Sequence, residues 1–230
     1  SVRQRPNLTI QTQAPVQSLL MEGNRCMGVR ASVEGKTQEF RAGEVILSCG
    51  AIHSPAHLLR AGIGPAMALK DQGLDVNINL PGVGQRLQDH PSIALASFLK
   101  PHARPTGHTR RHVLIGLRYS SKLGDAPPGD MFVAVADKTS WHPVGEQLGA
   151  LLMWVNKTYS EAGQVRLQSP DWREHPEVEF NLLSDRRDLD RLVDGFRRMA
   201  RAAHTHPAVQ AATEYPFPAC WGEKIGRASC

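Results

Sequence analysis

"VILSCGAIHSPAHLLRAGIGP", residues 45–65, decides how this chain is read, because it packs four local signals into twenty-one positions. "VILSC" is a short run of apolar and small residues, the pattern of a strand covered on both faces. Ser54-Pro55 reads as a helix N-cap followed by proline at the first helical position, where the missing N–H costs nothing. "AHLLRA" continues that helix, and Gly62 supplies the residue after its end, where positive φ is wanted. The dinucleotide fingerprint G-x-G-x-x-G must open a helix directly after a strand. Gly62-Ile63-Gly64 closes a helix and has no third glycine, so the pair is a stop signal and not a phosphate cradle.

Upstream, "NLTIQTQAPVQSLL", "CMGVRASV" and "KTQEFRA" read as three strands separated by turns at residues 22–24 and 34–35, a β-meander. Downstream, "PAMALKDQG" is a second short helix ending at Gly73, "DVNINL" a strand, and "PGVGQRLQDHP" too rich in proline and glycine to be regular. A domain division is placed near Pro91, giving parts 1–90 and 91–230. Beyond it "SIALASFL", "MFVAVAD", "GALLMWVNK" and "GQVRLQS" are strands, and "KPHARPTGHTRRH" is a polar loop. Val165 and Leu167 take one face, Arg166 and Gln168 the other. From residue 185 to 204, Leu189, Leu192, Val193, Phe196, Met199, Ala200 and Ala203 form one stripe at the helical period. Ser184 or Asp185 caps that helix and Pro207 follows it. The fold class is therefore mixed α/β, with an antiparallel sheet and flanking helices in the second part.

Composition narrows the function classes. A net charge of +5 comes from 27 basic and 22 acidic residues. The basic residues are scattered or in pairs such as Arg197-Arg198, without interleaved aromatics, which argues against nucleic-acid binding. Cys26, Cys49, Cys220 and Cys230 lack C-x-x-C spacing, which favours reduced thiols in a cytoplasmic setting and no metal site. His53 and His57 are four apart but have no third ligand nearby. No apolar run approaches a membrane span of ~20 residues. No G-x-S-x-G elbow supports a serine hydrolase.

Several segments together resemble the glucose-methanol-choline (GMC) family of FAD-dependent oxidoreductases. Residues 5–35, "RPNLTIQTQAPVQSLLMEGNRCMGVRASVEG", are similar to the strand pair that leads from the family's flavin domain. "GEVILSCGAIHSPAHLLRAGIGP" resembles its segment G-A-x-x-S-P followed by S-G-[aliphatic]-G-P, and "LPGVGQRLQDHP" its "LPGVGQNLQDHP". The stretch from Gly163 to Arg201 is similar to part of its substrate domain. The chain departs from the pattern at Cys49 (usually alanine), Ala61 (usually serine) and Arg86 (usually asparagine).

The resemblance implies an FAD-dependent enzyme that oxidises the CH–OH group of a small-molecule alcohol by hydride transfer to flavin. It implies part of an FAD-binding domain in residues 1–90 and part of a substrate domain in 91–230. It assigns cofactor contacts to Val16, Cys49, Gly50 and Ala51, where small residues let the backbone approach a ligand, and places Asp89 and His90 near the flavin. The family's G-x-G-x-x-G and its catalytic histidine segment do not occur in these 230 residues. No catalytic residue is therefore assigned, and this polypeptide alone is expected to bind FAD weakly or not at all. The rival reading is a cofactor-free binding or interaction domain derived from the same fold.

Overall fold

The computed structural model describes residues 2–106, 112–140 and 143–217. The chain forms two compact units, Ser1–Leu87 with Ala162–Phe180, and Gln88–Glu161 with Asn181–Cys230. The fold is mixed α/β, with antiparallel sheets in both units.

In the first unit the meander is β1 (Val16–Glu22), β2 (Arg25–Val33) and β3 (Lys36–Arg41), paired in that order. β1 is shorter than "NLTIQTQAPVQSLL" suggests, since residues 8–12 have no ladder partner. The strand expected at "EVILSC" does not form: residues 44–48 pair with no strand among the described residues, and Ile46 is 80% exposed. Apolar character alone does not make a strand, because the extended chain needs a neighbour for its N–H and C=O groups.

Helix α1 (Gly50–Arg60) starts earlier than the Ser54-Pro55 signal implies. Gly50, at φ +80°, turns the chain into the helix. The Ser54 hydroxyl then reaches back to accept the Cys49 N–H at 3.0 Å instead of capping forward. Pro55 lies inside the helix and leaves the carbonyl four residues before it, on exposed Ala51, without a helical donor.

The end of α1 is as expected. Gly62 has φ +72° and donates its N–H to the Leu59 carbonyl at 2.9 Å, while its own carbonyl accepts from Asn77 and Ile78. That N–H is consumed by the helix end, so the Gly62 turn offers no phosphate cradle.

Next come β4 (Ile63–Gly64), α2 (Ala66–Asp71) and β5 (Ile78–Asn79), with β4 and β5 parallel. The stretch expected to be irregular contains β6 (Gln85–Leu87). Gly84, at φ +77°, turns the chain there, and its carbonyl accepts the Val165 N–H at 2.7 Å, which seats β6 in a ladder. The core joins Ala56 and Leu59 of α1, Leu69 of α2, and Leu167.

The second unit is built on a five-stranded antiparallel sheet. Its strands are β7 (Ser92–Leu99), β8 (Val113–Tyr119), β9 (Met131–Ala136) and β10 (Leu148–Val155). In the first unit, β11 (Gly163–Arg166) pairs with β6 and with β12 (Glu177–Glu179). Val165 and Leu167 are buried while Arg166 and Gln168 are exposed, as their alternation predicts. α3 (Arg186–Thr205), α4 (Pro207–Ala212) and β13 (Thr213–Phe217) complete the second unit, whose sheet order is β13-β7-β10-β9-β8.

α3 begins where the sequence places it, with Asp185 as N-cap accepting the Arg187 N–H at 2.9 Å. It packs Leu192, Met199 and Ala200 onto Leu95, Met131, Val133, Met153 and Val155 of the sheet. Each buried aliphatic or methionine side chain contributes roughly 1.5–3 kcal/mol through removal from water. The buried face is rotated from the predicted stripe: Val193 is 39% exposed, and Gly195 sits against Met153 and the Tyr119 hydroxyl, where a Cβ would clash. Of the polar loop expected after β7, residues 107–111 lie outside the described residues, as do Cys220 and Cys230. Among the described residues no helix is long and apolar enough to cross a membrane.

Candidate functional site

The proposed cofactor contacts divide between the two units. Val16 opens β1 opposite Ala31, and α1 packs against β1, so Val16 shares a unit with the Cys49-Gly50-Ala51 turn. That turn is exposed. At Gly50 no atom lies within 4 Å of the place a Cβ would occupy, so a ligand has room to approach the backbone. The first amides of α1 have no intrahelical acceptor, no acidic side chain lies in its first turn, and the positive end of the helix dipole sits there. Small side chains, open backbone and the positive end of the helix dipole fit a flavin nucleotide at this turn.

Further along α1, His53 and Arg60 meet the 171–175 loop, and His57 lies between them in sequence. The His53 and His175 rings lie 6.2 Å apart, and Arg60 donates from Nη2 to the Glu174 carbonyl at 2.7 Å. Buried His57 Nδ1 and Arg60 Nε have no hydrogen-bond partner. Burial first, then the charges of Arg60 and His53, pushes the His57 pKa down. Among the described residues no group of three or more His, Cys, Asp or Glu is arranged to hold a metal ion.

Asp89 and His90 belong to the second unit. They line a small polar cleft of about 260 Å³ with Gln88, Asn156, Lys157 and Thr158. The Asp89 carboxylate accepts the His90 backbone N–H at 2.8 Å, and His90 Nδ1 lies 2.9 Å from the Val155 carbonyl. A carbonyl only accepts, so this contact assigns the proton to Nδ1 and leaves Nε2 of the neutral ring as an acceptor. Such a histidine is equipped to accept a hydrogen bond or proton from a hydroxyl.

Sequence reasoning missed the most buried charges of this unit. Arg191 is 1% exposed, Asp130 and Asp188 0%. Arg191 Nη1 donates to Asp130 Oδ2 at 3.2 Å, and Nη2 donates to Asp188. Burial pushes both carboxyls up, but hydrogen bonds from Ser121 to Asp130, from Tyr159 and Ser160 to Asp188, and from Arg191 to both outweigh it and hold them below the ordinary carboxylate value. The available signal was the charged pair Asp188 and Arg191, three apart beside the apolar stripe of α3.

Comparison with known proteins bears on the family and the fold. A family model described as GMC oxidoreductase matches residues 1–92, and a second with the same description matches residues 158–225. A 5-(hydroxymethyl)furfural oxidase of Methylovorus sp. is 43% identical over 86% of this chain and 36% of its own length. An oxygen-dependent choline dehydrogenase of Paraburkholderia phymatum is 31% identical over 90% of this chain and 40% of its own length. Among solved structures, pyridoxine 4-oxidase from Mesorbium loti superposes with TM-score 0.78 at 25% identity, over 94% of this chain and 43% of that one. A formate oxidase superposes with TM-score 0.83 at 19% identity, over 94% of this chain and 47% of that one, a likeness of fold. The chain thus spans less than half the length of these relatives. Two family matches in order and a shared fold in solved oxidases lead to one assignment: the chain belongs to the GMC oxidoreductase family.

Proposed function

We propose that this chain is the central part of an FAD-dependent oxidoreductase that oxidises a CH–OH group of a small-molecule alcohol. The observation that carries the reading is the match to both family models in order along one chain, with an open small-residue turn at the position assigned to the cofactor. In this reading residues 1–90 supply part of the FAD wall and residues 91–230 part of the substrate side. FAD, when bound, supplies the hydride acceptor.

The protein's share is to bind, orient and handle protons. Val16 and the backbone of Cys49, Gly50 and Ala51 lie against the cofactor, and the N-terminal end of α1 favours an anionic group there. Asp89 fixes the backbone of His90, and the Val155 carbonyl fixes its tautomer, so that Nε2 accepts from a polar group at the flavin side.

The test is flavin content. In the protein made from its complete reading frame, Ala51→Leu places bulk on an exposed turn and is expected to lower bound flavin severalfold with the fold intact by circular dichroism. Unchanged flavin content in Ala51→Leu contradicts the assignment of this turn. The 230-residue polypeptide alone is expected to show little or no flavin absorbance after dialysis against FAD.

A further inference from the structure

The residues 155–160 loop of the second unit is gripped from two sides. On one side lies the buried charge cluster. Tyr159 N–H donates to Asp188 at 3.0 Å, and the Ser160 N–H and hydroxyl donate to Asp188 Oδ2 at 2.8 and 2.7 Å. The Ser160 oxygen also accepts the Asp185 N–H at 3.1 Å, tying the loop to the start of α3. Arg191 Nη1 donates to the Lys157 carbonyl at 2.9 Å and Nε to the Arg187 carbonyl at 3.2 Å. Asp130, which accepts from Ser121 through N–H and hydroxyl at 2.8 and 2.7 Å, takes the Asn156 N–H on its own carbonyl at 2.6 Å.

On the other side the same loop holds residues 88–91. Gln88 Nε2 donates to the Ser160 carbonyl at 3.3 Å, Val155 N–H donates to the Pro91 carbonyl at 3.1 Å, and His90 Nδ1 meets the Val155 carbonyl. His90 itself is exposed and stands on an irregular segment, where Asp89 holds its backbone N–H but not its ring. The ring's position is set by the loop, and the loop's position by the cluster.

A cluster of one guanidinium between two carboxylates suits this task. Each carboxylate must find several donors once it is taken from water, and only one arrangement of α3, the start of β9 and the loop satisfies all of them. Leucines in the same places would leave the loop free to slide. We propose that Arg191, with Asp130 and Asp188, is a positioning device that fixes the tautomer and placement of His90 through the 155–160 loop. The catalytic consequence rests on the flavoenzyme reading above; the positioning does not.

The experiment uses the protein from its complete reading frame with ¹⁵N-labelled histidine, His90 being assigned by its loss in His90→Gln. The wild type should show His90 as the Nδ1–H tautomer. In Arg191→Met the Nδ1–H preference should weaken toward the tautomer mixture of a histidine with no fixed acceptor, with partial return in Arg191→Lys. Arg198→Met, which removes an exposed pair with Asp194, should leave His90 as it is. Turnover in Arg191→Met should fall by about 10- to 100-fold with KM little changed, the signature of a misplaced group.

Should Arg191→Met fail to fold, Ser160→Ala and Gln88→Ala decide, since both leave the charges in place while the first removes the hydroxyl's bonds with Asp188 and Asp185 and the second the bond to the Ser160 carbonyl. A shifted His90 spectrum in either supports the proposal. An unchanged spectrum in both, or in folded Arg191→Met, overturns it. If His90 responds while the protein carries no flavin, the positioning stands and the flavoenzyme reading fails.

Discussion

Both units sequester polar groups of an arginine on a helix, and they treat them in opposite ways. Arg191 on α3 meets two carboxylates and two backbone carbonyls and is almost wholly out of solvent. Arg60 on α1 is half-buried, gives one hydrogen bond to the Glu174 carbonyl, and keeps a buried Nε without a partner beside an equally unpartnered His57 Nδ1. Burial pushes the Arg60 pKa down, and the charge of Asp171 only partly offsets that. A satisfied buried network resists change because every member loses several partners at once, whereas an unsatisfied one is already in a compromise. The second unit is thus the rigid frame for His90, and the α1 face is the region where polar groups stand to gain from rearrangement.

The contrast breaks most visibly at Arg191. Arg191→Met strands two buried carboxylates and should cost about 3–5 kcal/mol, read as a lowered denaturation midpoint with unchanged slope. Slightly smaller is the effect of Leu192→Ala, beside it on α3, which leaves a cavity against the sheet and should cost about 2–4 kcal/mol in the same measurement.

Acid should separate the two regions next. His57 has a folded pKa below its unfolded value, so the unfolded chain binds more protons and stability is lost as pH falls below about 6.5. Asp130 and Asp188 are depressed carboxyls, whose contribution is complete above the unfolded pKa of about 3.9 and lost only below it. Hydrogen-exchange protection, corrected for the pH dependence of intrinsic exchange, should therefore fall at pH 5 in α1 and not in α3, and His57→Gln should remove the difference. Equal loss in both helices would contradict the contrast. The smallest change is expected for Arg60→Met, which removes an unmet donor along with one hydrogen bond and should alter stability by no more than about 1 kcal/mol in either direction.

Legibility in the sequence followed the same divide between local and distant causes. β7, β9 and β10 announced themselves as short, largely apolar runs, and α3 because its apolar residues recur at the helical period. β8 escaped notice: Val113, Ile115 and Leu117 are 50%, 65% and 58% exposed, and the strand exists through its pairing with β9. β12, three residues long, is held by its pairing with β11 and by Arg166 bridging to Glu177 and Glu179, which no local window reveals. "EVILSC" erred the other way, since apolar character without a ladder partner left Ile46 in solvent.

The site divided likewise. Gly50 was singled out through the family resemblance, and its positive φ supplies the physical reason for a glycine there. The cluster under His90 stayed hidden because Ser121, Asp130, Ser160, Asp188 and Arg191 are scattered over seventy positions and meet only after folding.

The central claim, that this chain is part of an FAD-dependent alcohol oxidoreductase, is tested most directly by anaerobic spectroscopy of the protein made from its complete reading frame. The account predicts a stoichiometric oxidised-flavin band that bleaches on addition of an alcohol substrate. A folded protein that takes up no flavin would contradict it, as would one whose flavin is left oxidised by every member of a panel of aliphatic and aromatic alcohols.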